Sequence, residues 1–113
     1  MREDGKIDYV ELPATALPAT KAFYEQAFGW RFTDYGPSYA AFDEGLDGGF
    51  QADPGERRPL PLVILYAHDL PAMEARVRAA GGTILKPIYS FPGGRRFHFR
   101  DPSGVELAVW SEG

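Results

Sequence analysis

The sequence has no cysteine and only two histidines, His68 and His98. No disulfide framework, thiol nucleophile or thiolate metal site can be built, so a metal would need His, Asp and Glu ligands. Long apolar runs are also missing. Nothing approaches the roughly 20 residues that span a bilayer, and residues 1–6 lack the hydrophobic segment of a signal peptide. The expectation is a soluble, cytoplasmic protein with no membrane partner. Neither sign of charge prevails: 12 Lys and Arg stand against 16 Asp and Glu. The basic pairs Arg57-Arg58 and Arg95-Arg96 are local, so the composition suggests neither disorder nor a nucleic-acid partner. With 113 residues, 44% of them hydrophobic, the chain can bury one core and is too short for two ordinary domains. It reads as a single domain, 1–113.

What is present is a pattern that occurs twice. Residues 7–12 alternate and end at Pro13, which marks a short strand. Leu17, Thr20, Phe23, Ala27 and Phe28 recur at helical steps, with Pro18 in the first turn and Gly29 beyond the end, predicting a helix over 17–28. Strands follow at 30–35, 39–42 and 45–50. The connector 53–59, rich in Pro, Gly and charge, separates module one, 7–52, from module two, 60–111. The order then repeats, with a strand at 62–67, a helix at 70–80, and strands at 83–88, 96–100 and 105–110. Leu17-Pro18-Ala19 and Leu70-Pro71-Ala72 open the two helices alike. Two βαβββ modules from an internal duplication account for this order, and the fold class is α+β.

The segments YVELPATALPATKAFYEQAFGW, LYAHDLPAMEARVRAAGG and FRDPSGVELAVW resemble those of the vicinal oxygen chelate superfamily (glyoxalase, bleomycin resistance proteins, extradiol dioxygenases). The closest likeness is to the group related to lactoylglutathione lyase. The resemblance implies a cupped mixed sheet with helices outside, a ligand cavity inside, and a homodimer. In metal-using relatives three or four His and Glu residues from the module strands hold a divalent ion. Carried over, those positions fall on Tyr9, Leu62 and Ala108, none of which is a usual ligand, and the fourth-strand position lies in a glycine-rich segment without histidine. The resemblance therefore implies a member without the usual metal ligands, and no cofactor is expected.

A hairpin closing at Asp101-Pro102-Ser103-Gly104 sets residue 99 opposite 106 and residue 100 opposite 105 if the turn is taken as four residues. On that register Phe97, Phe99, Glu106, Ala108 and Trp110 share the face that the resemblance makes concave, while His98 points away from Glu106. His68 is a loop residue before the helix-opening Asp69. The expected ligand-binding lining is Tyr9, Leu62, Ile64, Tyr66, Phe97, Phe99, Ala108 and Trp110, an aromatic cup with few polar tips. Phe42, Phe50 and Tyr89 are further candidates. Glu11 and Glu106 are the candidate catalytic residues, because a carboxylate among aromatics must be paired or shifted toward acid–base use. The segment before Arg95 joins strands rather than entering a helix, so it is not a phosphate cradle, and no serine has nucleophile context. These readings give a protein that binds a small aromatic or amphipathic molecule. Two alternatives remain: a metal-independent or atypical-metal lyase or isomerase, and a dimerising interaction module with a filled cup.

Overall fold

A computed structural model describes residues 2–112. Eight strands and two helices follow the repeated order: β1 (Ile7–Pro13), α1 (Leu17–Phe28), β2 (Thr33–Asp34), β3 (Tyr39–Glu44) and β4 (Leu46–Gln51), then β5 (Leu62–Tyr66), α2 (Leu70–Ala79), β6 (Thr83–Phe91), β7 (Gly94–Arg100) and β8 (Glu106–Ser111). The chain forms two compact units, one of Tyr9–Leu62 and one of the residues up to Asp8 together with those from Val63 onward.

In the first unit the strands run β2-β3-β4-β1, with β1 parallel to β4 and the other pairs antiparallel. Alternation turns Val10, Leu12, Ala40, Phe42 and Phe50 toward α1, where Leu17, Tyr24, Trp30 and Phe32 complete the core. The helix ends on Gly29, whose N–H donates to Glu25, while the Trp30 N–H reaches back to Tyr24. That reversal folds the indole onto the Tyr24 ring at 4.7 Å and against Phe42 at 4.8 Å. This is why the strand expected over 30–35 shrinks to Thr33–Asp34: Trp30 and Phe32 serve the core rather than a ladder. Phe23 and Phe28, expected on the buried stripe of the helix, are 57% and 64% exposed.

In the second unit the order is β5-β8-β7-β6, with β5 parallel to β8. Asp69 caps α2 by accepting the Ala72 N–H at 3.1 Å, and the helix packs Leu70, Met73 and Val77 over Phe97, Val109 and Ala67. The beginning of the chain belongs here too, since Lys6 O accepts the Tyr66 N–H and Gly5 N–H donates to Tyr66 O.

Candidate functional site

Each module has a core face against its helix and a second face carrying polar groups. In module one, Tyr9 and Glu11 alternate away from α1. Parallel pairing sets Tyr9 beside Asp47 and Glu11 beside Gly49; β3 places Ala41 beside Gly49 and Asp43 beside Asp47. A Cβ on Gly49 would collide with the ring and hydroxyl of Tyr39, so glycine there leaves Tyr39 room to reach Glu11. The Tyr39 hydroxyl donates to Glu11 Oε2 at 3.2 Å and lies 2.5 Å from the Tyr9 hydroxyl. A carboxylate only accepts, so the single Tyr39 proton goes to Glu11 and the proton shared by the two tyrosines comes from Tyr9. Glu11 is 6% exposed, and this donor chain offsets its lost hydration. Burial, then the charge of Glu11, then Tyr9, push the Tyr39 hydroxyl far above the usual tyrosine range.

Beside Tyr9 opens a cleft of about 430 Å³ with aromatic walls from Phe32, Tyr35 and Phe42. Its polar lining includes Arg31, Asp43, Glu44 and Asp47. Asp43 and Asp47 are direct cross-strand partners, an arrangement that like charges make unfavourable.

In module two the hairpin register differs by one residue from the expected one. Arg100 pairs with Glu106, Phe99 with Leu107, His98 with Ala108 and Phe97 with Val109. The cause is the turn. Asp101 N–H donates to Val105 O at 2.9 Å, Asp101 Oδ1 accepts from Ser103 and Val105 N–H, and Gly104 takes φ 87°. This is a three-residue loop with a left-handed glycine before the bulge position, not a four-residue loop. Phe97 and Phe99 therefore lie in the α2 core and do not share a face with Ala108, Glu106 and Trp110. Phe42 and Phe50 likewise belong to the α1 core.

The same correction brings His98 to Glu106. His98 Nδ1 is 2.9 Å from Glu106 Oε2, and Nε2 is 2.8 Å from the Tyr89 hydroxyl. Arg96 Nε donates to that hydroxyl oxygen at 2.5 Å. His98 is 1% exposed and Arg96 9%. Ile64 and Tyr66 pair with Ala108 and Trp110 on this face. Tyr66 donates to Glu112 at 2.8 Å, and Trp110 Nε1 donates to Asp8 at 2.9 Å. Leu62, at the start of β5, is buried, and Ala108 is fully so. His68 is exposed and its N–H donates to Asp4. Among the described residues, no group of three or more His, Cys, Asp or Glu is placed to hold a metal ion.

Sequence reasoning found Tyr9, Glu11 and Glu106 but not Tyr39, Arg96 or His98 as their partners. The signal was available for the latter two in Gly104, because Asp-Pro-Ser-Gly suits a three-residue loop as well as a four-residue one.

Several known proteins are similar to this chain. CFP32 of Mycobacterium bovis, provisionally named a glyoxylase, is 25% identical over 118 residues, covering 94% of this chain and 45% of CFP32; the chain thus spans about half the length of that curated relative. The Mn(II)-bound glyoxalase of Novosphingobium aromaticivorans superimposes with a TM-score of 0.69 at 24% identity, covering 99% of this chain and 40% of that one. Methylmalonyl-CoA epimerase of Mycobacterium tuberculosis gives a TM-score of 0.74 at 14% identity, covering 100% and 91%. These structures share the α+β fold of two βαβββ modules. The sequence profile of the Glyoxalase/Bleomycin resistance protein/Dioxygenase superfamily matches residues 6–109, and the chain belongs to that superfamily.

Proposed function

We propose that the chain is a small-molecule-binding member of its superfamily that works without a metal at the usual positions, and that its ligand is a small aromatic or amphipathic molecule. The cleft beside Tyr9 carries this reading, because its aromatic walls from Phe32, Tyr35 and Phe42 suit a flat organic body and its charged lining can orient polar substituents. The donor set does not fit the metal that the superfamily commonly uses. Tyr9 gives its proton to Tyr39, Leu62 and Ala108 offer only buried aliphatic groups, and both ring nitrogens of His98 have partners. A thermal-shift screen against aromatic metabolites, paired with metal analysis of the purified protein, tests this. A ligand that raises the melting temperature of metal-free protein is expected; stoichiometric tightly held metal, or no response to any aromatic compound, would overturn it.

A second reading, a metal-independent lyase or isomerase, is favoured by Glu11, a buried carboxylate within reach of a proton-holding hydroxyl. Glu11→Gln should then abolish turnover while leaving ligand binding in place, whereas equal turnover in the variant would remove that reading. We also propose a homodimer, supported by the exposed pair Phe23 and Phe28, whose rings lie 6.2 Å apart on α1. Sedimentation of the protein at working concentration checks the assembly.

A further inference from the structure

The hairpin of β3 and β4 and the segment that follows α1 enclose the cleft beside Tyr9, and its whole lining lies within the unit Tyr9–Leu62. Gly45 closes the hairpin at φ 114°, a backbone angle that a side chain would strain. The turn is therefore tight: Glu44 pairs with Leu46 and Asp43 with Asp47. It brings carboxylates from both strands to one cleft that already has aromatic walls in Phe32, Tyr35 and Phe42.

The lining is unbalanced in charge. Asp43, Glu44 and Asp47 stand against a single guanidinium, that of Arg31. The Arg31 backbone N–H donates to Glu44 Oε2 at 3.1 Å, which ties this cation's segment to one of the three acids. Side chains at directly paired positions are about 4.5–5.5 Å apart at Cβ, and like charges there repel. A cation entering beside Asp43 and Asp47 is attracted by both and offsets their repulsion, while an anion adds to it. The walls act in the same direction, because the face of an aromatic ring is negative and draws a cation toward it. The volume of about 430 Å³ is near the lower end of the range for organic ligands, roughly 300–1,000 Å³. It suits one or two rings with a short substituent.

We propose, on the reading of the cleft as a binding site, that its ligand is a cation: an aromatic body of one or two rings bearing a protonated amine or a quaternary ammonium group. The rings lie against Phe32 and Phe42, and the ammonium group sits by Asp43 and Asp47. Tyr35, 66% exposed, forms the outer wall and presents its ring to the charge. A neutral aromatic molecule gains the wall contacts alone. An aromatic carboxylate gains them against the repulsion of the acids, with only Arg31 to favour it.

Titration calorimetry with three molecules of one ring system and different charge tests this: 1-naphthylmethylamine, 1-naphthylmethanol and 1-naphthoate. The amine should bind about five-fold or more tighter than the alcohol at low salt, and the carboxylate should bind weakest. Sodium chloride at about 0.5 M should narrow the amine's advantage and leave the alcohol unchanged, because screening acts on charge. Asp43→Asn should weaken amine binding by about two- to five-fold, and Arg31→Gln should strengthen it by a similar factor. Both residues are exposed, so neither change disturbs the core. Equal affinity for amine and alcohol, or tighter binding of the carboxylate, overturns the cation assignment while the cleft stands as an aromatic binder. Amine binding that neither variant alters overturns its placement in this cleft. No binding of any of the three molecules overturns both the assignment and the binding reading on which it rests.

Discussion

Two tyrosines, one in each module, bond to different kinds of polar partner. Tyr39 faces the carboxylate of Glu11 and keeps its proton far above the ordinary range. The Tyr89 hydroxyl accepts from Arg96 and bonds to His98 Nε2, with the Lys86 ammonium 4.4 Å from the centre of its ring. The modules share element order and helix placement, yet the polar network of one ends on a buried acceptor and that of the other begins at a cation. Duplication of a framework does not duplicate its chemistry. The strands fix which residues share a face, while a few side chains set which polar groups meet there.

The comparison can be broken or sharpened in four ways. The most damaging change removes the wall under the module-two network: Phe97, fully buried in the α2 core, should cost about 3–5 kcal/mol as Phe97→Ala in denaturant unfolding. In module one the corresponding weak point is space. Gly49→Val should cost about 1–3 kcal/mol by overpacking against Tyr39 and should release Tyr39 from Glu11, seen as a return of its ionisation toward ordinary values. The third test uses pH. Because the folded state holds the Tyr39 proton above the ordinary value of 10.0, the unfolded chain loses that proton first. The Tyr39 contribution is fully present below pH 10.0 and is lost as pH rises beyond it. Tyr39→Phe should flatten this alkaline loss; an unchanged alkaline profile would separate Tyr39 from it. The smallest effect concerns the helix starts. Asp69→Ala should cost about 1 kcal/mol, because Asp69 caps α2. Ala16→Asp should stabilise α1, whose cap position lacks a side-chain bond, by a similar or smaller amount, read as a rise in melting temperature.

Much of the architecture was legible because periodicity and punctuation agreed. Pro18 and Gly29 bounded α1 at Leu17–Phe28, and both βαβββ orders followed from alternation between breakers. Glu11 and Tyr9 were readable as neighbours on one face of β1 for the same reason. What failed was parity in β7 and β8. Both faces of GRRFHFR carry large side chains, so alternation alone does not say which face is buried, and the answer depends on whether Gly104 adopts a left-handed conformation. Tyr39 and Tyr89 were harder still. The first reaches Glu11 across a missing Cβ, and the second follows a register shift between Lys86 and Tyr89 in the pairing of β6 with β7; neither device leaves a periodic trace in sequence.

The division of β1 affects how this chain can be cut. Its first two residues belong to the unit that contains module two, and the rest belong to the other. Arg2 and Asp8, at the start of the chain, bond each other, and Asp8 also accepts from Trp110 near its end. A fragment beginning at the 53–59 connector would therefore carry Tyr66 and Trp110 without the segment that pairs with them. Co-expressed halves split at that connector should recover native structure only when the amino-terminal fragment is present, so the sequence duplication does not yield two interchangeable pieces.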